Sequence, residues 1–188
     1  MQPPCSKRRT MPASPLPGVV EEENTMKATA LLRADHTAVK KLFREFDRTT
    51  TRAKKTRQEL VAKIAEELEI HATIEEETFY PAVDEIRQAH RLVEEAHDEH
   101  ATVKALVAEI QGMDPTSEEL SEKVRELRDN VLHHATEEQD EMFPMAERLG
   151  SERLEELGEQ MNARKRELKK SVVARLKRAV KGAARKVA

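Results

Sequence analysis

The sequence has few of the residues that mark most other protein classes. Its 188 residues include no Trp, one Tyr, one Cys and five Gly, and aromatic residues make up only 3%. β-Sandwiches and β-barrels need more aromatic, β-branched and turn-forming residues than this. The single Cys5 excludes a disulfide framework and a cysteine-based zinc site. No apolar run approaches the length of about 18 residues that a transmembrane helix needs. We therefore expect a charged, helical, cytoplasmic protein.

Charge and proline divide the chain into three parts. Residues 1–25 hold five of the eight prolines and show no apolar periodicity, which predicts a disordered leader. Residues 26–160 contain 19 Lys or Arg against 32 Asp or Glu, whereas residues 161–188 contain 11 Lys or Arg and one Glu. The net charge of −3 therefore conceals an acidic domain and a basic amphipathic tail. Such a tail could contact a membrane, a nucleic acid or another acidic surface, or it could fold back on the acidic domain.

Residues 26–160 show the apolar periodicity of amphipathic helices. Three such segments cover about 26–47, 54–79 and 84–111, and a fourth starts after Thr116 or Ser117 and reaches Pro144. A further helix follows from Ser151 and continues into the basic tail. Short connections favour antiparallel neighbours, so the predicted fold is all-α: an up-down-up-down four-helix bundle with an additional basic C-terminal helix.

Four of the seven histidines lie on the apolar stripes of these segments, one on each helix. In chain order they are His36, His71, His100 and His134. On the second and fourth helices a carboxylate follows on the same face, four residues later, at Glu75 and Glu138. Burying one unpartnered polar group costs roughly 2–7 kcal/mol, and a whole domain has a net stability of only about 5–15 kcal/mol. Six such groups therefore need a common partner, and a bound cation is the simplest.

The same residues form an internal repeat. The segment DHTAVKKLF from Asp35 resembles EHATVKALV from Glu99, and HATIEEETFYP from His71 resembles HATEEQDEMFP from His134. Two helical hairpins packed with pseudo-twofold symmetry would bring the six side chains together. A mixed set of imidazoles and carboxylates suits two iron ions bridged by Glu75 and Glu138, with manganese or zinc as the weaker alternatives.

This pattern resembles the hemerythrin family, specifically its HHE cation-binding branch. The resemblance covers roughly residues 26–160 and includes the aromatic-proline helix ends at Phe79–Pro81 and Phe143–Pro144. It implies a non-haem di-iron centre, joined by an oxygen atom or by carboxylates, that binds dioxygen, reacts with peroxide or nitric oxide, or senses iron. In ferritin-like di-iron bundles the paired motif is instead Glu-x-x-His.

The sequence departs from the oxygen-carrying branch of that family. There the third helix carries His-x-x-x-His and the fourth His-x-x-x-x-Asp, whereas here the third has His97-x-x-His100 and the fourth ends its motif at Glu138. Reversible oxygen carriage is therefore less favoured than a redox-active or stress-related role. Peroxide or nitric oxide turnover is one alternative, and an iron- or oxygen-sensing module that binds a partner without turnover is the other. No separate catalytic residue is predicted.

Several further residues have more than one interpretation. His97 shares the inward stripe and could be a seventh ligand, and Tyr80 could be a ligand, a hydrogen-bond donor to a ligand, or a ring with its hydroxyl in water. Asp35 and Glu99 precede matched histidines and could hydrogen-bond neighbouring imidazoles. Surface or helix-end positions are predicted for His90, His133, Glu76, Glu77 and Glu137.

Overall fold

The computed structural model describes the backbone of residues 26–186 and the side chains of residues 26–171. Within this part every regular element is helical, which confirms the all-α prediction. The α-helices are α1 (Ala28–Asp47), α2 (Lys54–Ile74), α3 (Tyr80–Asp84), α4 (His90–Gln111), α5 (Glu118–Glu137), α6 (Phe143–Ala146) and α7 (Ser151–Lys186). None of the helices described combines the length and apolar character needed to cross a bilayer. The predicted leader, residues 1–25, lies outside the described residues.

Helices α1, α2, α4 and α5 form a closed four-helix bundle. Each packs against the next in this order, and α5 packs against α1. The core consists of two apolar clusters, one containing Leu32, Ile74 and Phe79, the other containing Val39 and Phe43. On α1, Leu32 and Val39 belong to different clusters, and His36 lies between them. The polar residues of the bundle therefore lie between two apolar layers.

Both long helices that carry a His-x-x-x-Glu motif widen into a π-helical turn at the Glu. These turns are Glu75–Phe79 and Glu138–Met142, and they lead into α3 and α6. Pro81 and Pro144 follow at the first turn of those short helices, where a missing N–H costs nothing. The predicted end or kink at Pro81 is thus a change of helical pitch, after which the chain stays helical. Single π-helical turns are frequent at functional sites.

The third bundle helix begins later than the sequence predicts. The expected start near residue 84 is wrong because Ile86 is extended (φ −88°, ψ 98°) and a 3₁₀ turn, Arg87–Ala89, precedes α4. The start of α5 agrees with the prediction, since the Ser117 hydroxyl accepts a hydrogen bond from the backbone N–H of Leu120 at 3.1 Å.

Helix α7 packs along α1, α2 and the first π-helical turn. Leu154, Leu157 and Met161 are buried in the cluster that contains Leu32. At Gly158 an added Cβ would lie 1.9 Å from the backbone oxygen of Met26, so only glycine allows this approach. The predicted boundary at residue 161 falls inside α7, with Met161 itself buried.

The first basic residues of α7 pair with acidic residues of the bundle. Arg164 pairs with Glu77, Lys165 with Asp35 and Lys169 with Glu67. Over this stretch the tail therefore folds back on the acidic domain, which is one of the arrangements its charge predicts. The side chains of the predicted apolar stripe from Val172 onward lie outside the described residues.

Candidate metal centre

The structure brings all six predicted ligands together between the two apolar clusters. Each is at most 5% exposed: His36, His71, Glu75, His100, His134 and Glu138. Their imidazoles approach in pairs that join successive helices. The Nε2 atoms of His36 and His71 are 3.0 Å apart, and those of His100 and His134 are 3.2 Å apart. The Nε2 atoms therefore all point into one buried space.

The bundle consists of two helical hairpins, the first formed by α1–α3 and the second by α4–α6. Each carboxylate of the cluster reaches imidazoles from both hairpins. Glu75 Oε2 lies 3.2 Å from His71 Nε2 on its own helix and 3.4 Å from His100 Nε2 on α4. Glu138 Oε2 lies 3.6 Å from His134 Nε2 on its own helix and 3.2 Å from His36 Nε2 on α1. This crossed arrangement has the pseudo-twofold symmetry of the sequence repeat. Each carboxylate therefore lies between imidazoles of the two hairpins.

Five of the six side chains form the tightest group. One donor atom from each of them lies within 4.8 Å of all the others: His36, His71, Glu75, His134 and Glu138. His100 lies at the edge of this group, held by its contacts with Glu75 and His134. Two groups of potential metal ligands occur among the described residues, and this one is the group whose members are all buried.

The cluster leaves several buried polar atoms without a hydrogen-bond partner. These atoms are both carboxylate oxygens of Glu75, Oε2 of Glu138 and Nδ1 of His71. A buried unsatisfied polar group costs about 1–3 kcal/mol, and more when charged. A bound cation would satisfy the carboxylate oxygens at once, so the donor set fits a metal.

The pKa shifts of Glu75, His36 and His100 are consistent with a site that binds cations. Burial, together with the neighbouring Glu138, raises the pKa of Glu75 well above its usual range. Burial and a neighbouring imidazole lower the pKa of His36 and of His100 to about 4. Both imidazoles are therefore neutral at physiological pH, which is the form that binds a metal.

Outside the cluster, carboxylates hold the Nδ1 atoms of the second-hairpin imidazoles. Nδ1 of His100 donates to Glu76 Oε1 and Nδ1 of His134 donates to Glu99 Oε2, each at 2.8 Å. Because a carboxylate only accepts, the proton stays on Nδ1 and the Nε2 lone pair faces the cluster. Glu76, predicted to be solvated, instead bonds His100 and Lys104.

The first-hairpin imidazoles have different partners. Nδ1 of His36 lies 3.0 Å from the amide nitrogen of Gln139, which the sequence analysis did not single out. Asp35 Oδ2 lies 3.8 Å from His71 Nδ1, beyond hydrogen-bond distance, while Oδ1 pairs with Lys165. The repeat could have revealed Gln139, because it occupies the position of Glu76 in the other hairpin. Nothing in the local sequence pointed to Lys165.

Comparison with known proteins identifies the family. The family model of the hemerythrin HHE cation binding domain matches residues 27–146. The chain belongs to this family. A second, overlapping match covers residues 92–187 and begins in the second hairpin. The buried His/Glu cluster lies within the matched residues and is the candidate metal-binding site of this HHE domain.

Two relatives place the HHE domain among known proteins. A crystal structure of a hemerythrin HHE cation binding domain-containing protein from Mycobacterium kansasii matches with a TM-score of 0.71 and 26% identity. The match covers 81% of this chain and 93% of that one. A DNA nickase from Nostoc sp. is 30% identical over 145 residues, which are 77% of this chain. The chain spans 40% of the length of that curated relative.

Tyr80 is the aromatic residue of the HHE domain that reaches the cluster with a polar group. It is 1% exposed, and its hydroxyl donates to Glu138 Oε1 at 3.1 Å and lies 3.3 Å from His100 Nε2. Burial and the two nearby carboxylates raise the pKa of Tyr80 well above its usual range, so the phenol stays protonated. The alternative with its hydroxyl in water is wrong.

His97 is not part of the cluster. Its side chain is exposed, and its ring packs edge-on against Tyr80 with the centroids 5.2 Å apart. His90 is also exposed and bonds Asp84 at the start of α4, through Nδ1 at 2.6 Å. His133 lies on the surface as predicted, with 67% of its side chain exposed.

A small cavity adjoins the four imidazoles of the HHE domain. Its volume is about 20 Å³, and its apolar wall consists of Val39, Leu68, Ala72, Val103 and Val131. A cavity of this size holds about one water-sized or diatomic molecule. The geometry therefore favours small ligands at this centre and leaves no room for a large organic substrate.

Proposed function

We propose that this HHE domain holds two iron ions and binds dioxygen, or reacts with peroxide or nitric oxide, at its buried centre. The observation that carries the proposal is the pair of carboxylates, Glu75 and Glu138, each of which joins imidazoles from both hairpins. Four imidazoles and two carboxylates are donors that suit iron. Bound iron would supply the redox and ligand-binding chemistry.

The protein's own residues would prepare the site for that chemistry. Loss of the proton from Glu75 on metal binding would convert an unsatisfied buried acid into a ligand. The Tyr80 hydroxyl orients Glu138 through the 3.1 Å hydrogen bond and places a proton donor beside the cluster. The apolar wall of the small cavity limits the water that reaches the centre.

The test is iron loading of the purified chain without oxygen, followed by metal analysis and absorption spectra. We expect close to two iron ions per chain, as in other two-metal bundles, and near-ultraviolet bands that change with dioxygen, peroxide or nitric oxide. Iron well below one ion per chain, with no such band, would contradict the proposal.

The same samples separate the enzyme from the sensing alternative. Peroxide turnover without loss of metal supports an enzyme. A rise in melting temperature with iron, but no turnover, supports an iron- or oxygen-sensing module that works through a partner.

Nucleic-acid binding by the basic segment is a second candidate function. Residues 161–188 carry 11 Lys or Arg and one Glu, and the Nostoc relative is named a DNA nickase. A phosphodiester backbone does not fit the cavity of about 20 Å³, so the buried centre itself is not proposed to cleave DNA.

This candidate is tested by fluorescence anisotropy with a labelled DNA duplex over a range of salt concentrations. Binding that weakens steeply with salt, and that is lost when residues 172–188 are removed, supports a phosphate contact. Anionic vesicles serve as the competing surface. Preference for vesicles over DNA would favour a membrane contact instead.

A further inference from the structure

A second group of side chains with donor atoms suited to a metal lies on the surface of the second hairpin. It consists of Glu99 on α4 with His133 and Glu137 on α5, and one donor atom from each lies within 4.8 Å of the others. Nε2 of His133 is 3.6 Å from Glu99 Oε1 and 3.5 Å from Glu137 Oε1. Both carboxylates therefore face the same imidazole nitrogen. We call these three residues the outer cluster.

The outer cluster is open to solvent. The exposed fractions of its side chains are 24% for Glu99, 67% for His133 and 41% for Glu137. Among the described residues, no Lys or Arg forms an ion pair with either carboxylate, although most acidic groups facing the buried centre from outside have such a partner. Two carboxylates and an imidazole without a competing cation form an attractive site for a divalent ion.

The outer cluster is connected to the buried centre. While Glu99 Oε1 faces His133, its other oxygen, Oε2, accepts from Nδ1 of His134 at 2.8 Å. A narrow cleft between α4 and α5 has Glu99 and Glu137 in its wall together with the buried Glu138. Oε2 of Glu138 has no hydrogen-bond partner. Residues of the outer cluster and a residue of the buried centre therefore line the same cleft.

In the first hairpin, the positions equivalent to His133 and Glu137 are buried and apolar. The residues 63 positions before His133 and Glu137 are Ile70 and Ile74, which are 2% and 0% exposed. Ile74 packs in the same apolar cluster as Leu157 of α7. Helix α7 packs against α2 of the first hairpin, whereas the second hairpin has an imidazole and a carboxylate, both accessible to solvent, at the equivalent positions.

We propose that the outer cluster binds a divalent cation and passes it through the α4–α5 cleft to the buried centre. This inference rests on the proposed di-iron function for the identity of the cargo, which is ferrous iron. The negative groups around the cleft would raise the local concentration of cations and so speed loading. Once the buried centre is filled, the outer cluster would not be needed to retain the metal.

Loading kinetics test the proposal in the full chain. The variant His133→Ala/Glu137→Gln removes two outer residues and leaves Glu99 in place for His134. Its matched control is His90→Ala/Glu94→Gln, an exposed pair with the same spacing in which Asp84 and Glu94 face opposite nitrogens of His90. Metal-free protein is mixed with ferrous iron without oxygen, desalted at intervals and analysed for iron.

We expect the outer variant to load iron at least about fivefold more slowly than the wild type, because it lacks two of the three groups that attract the cation to the cleft. Its final iron content should equal that of the wild type, and the control should match the wild type in both. Equal loading rates for all three proteins would overturn the proposal.

A second measurement does not depend on iron at the buried centre. Substoichiometric Mn²⁺ added to isotope-labelled protein should broaden the amide signals around residues 99, 133 and 137 in the wild type and the control, but not in the outer variant. Absence of this broadening in the wild type would overturn the outer site. If the wild type takes up no iron but shows the broadening, the di-iron function fails while the outer site is supported.

Discussion

The two hairpins of this HHE domain supply the same ligands but surround them differently. The first hairpin (α1–α3) provides His36, His71 and Glu75, and the second (α4–α6) provides the three equivalent residues 63 or 64 positions later. In the second hairpin, carboxylates accept directly from both imidazole Nδ1 atoms. In the first, one partner is an amide and the other carboxylate is 3.8 Å away. A repeat can thus conserve a metal's ligands while making its two positions chemically distinct.

The aromatic positions after the π-helical turns differ in the same way. Tyr80 donates a hydrogen bond to Glu138, whereas the equivalent Phe143 stacks on His36 with the ring planes 5° apart. One side of the centre therefore has a hydroxyl that donates a hydrogen bond, and the other side has an apolar ring packed against an imidazole. Helix α7 adds a further difference, because Lys165 reaches only Asp35, the first-hairpin counterpart of Glu99.

The largest expected effect tests whether the hairpins contribute equally to metal retention. His71→Ala and Glu138→Ala each remove one buried ligand, one from each hairpin, and each should lower the iron retained after loading by half or more, since the remaining donors no longer complete the site. Metal analysis after desalting measures this. His133→Ala is the control and should retain nearly the wild-type amount. If it loses as much iron as His71→Ala, the assignment of the inward face of α5 is wrong.

The second-largest expected effect concerns the contact between α7 and the first hairpin. Lys165→Met removes the cation from the buried Asp35 and should lower the free energy of unfolding by about 2 kcal/mol, because a hydrogen bond to a charged group is lost. Urea denaturation of metal-free protein measures the change. Arg164→Met removes the neighbouring, exposed pair with Glu77 and should cost less than about 0.5 kcal/mol. Equal costs would mean that Lys165 does not anchor the helix.

His36 and His100 occupy equivalent positions in the two hairpins but have different Nδ1 partners, Gln139 and Glu76. Exchanging these partners should reduce the difference between the hairpins. Glu76→Gln replaces an acceptor-only group with an amide, so Nδ1 of His100 is no longer held as the donor, and metal affinity should fall about tenfold. Competition with a coloured chelator for Co²⁺ measures the affinity. The reciprocal change Gln139→Glu should leave affinity unchanged or improve it. A tenfold loss there as well would show that side-chain shape, not charge, controls these positions.

The smallest expected effect concerns the aromatic pair. Tyr80→Phe makes the two hairpins alike and leaves Glu138 Oε1 without its donor, so the metal-free protein should lose about 1 kcal/mol of unfolding free energy. Thermal unfolding measures the loss, and unchanged helical circular dichroism confirms that the fold persists. An unaltered melting temperature would mean that the hydroxyl does not support the carboxylate.

Much of the centre could be predicted because its residues follow the helical period. His36, His71, His100 and His134 share faces with apolar neighbours, and a bundle must turn those faces inward. The internal repeat adds the pairing of the hairpins, since equal spacing of ligands and helix ends implies equal geometry. The break at Ile86 was missed because the apolar periodicity continues across it.

The contacts that distinguish the two halves depend on long-range packing. Lys165 lies 130 residues from Asp35, and Glu76 lies 24 residues from His100, so no local pattern relates them. His97 shares a stripe with His100 but lies beside Tyr80 at the edge of the bundle, because a helical stripe is wider than the surface a neighbour covers.

The sequence by itself determined the all-α fold, the repeated hairpins and the six residues on the inward faces, because helical periodicity is a local property of the chain. Only the tertiary structure decided which carboxylate or amide holds each imidazole and which side of the centre α7 covers. Those features depend on where separate helices meet, and the free energy of packing fixes that for the whole chain at once. The identical ligand sets therefore come from the repeat, and their different surroundings come from the fold.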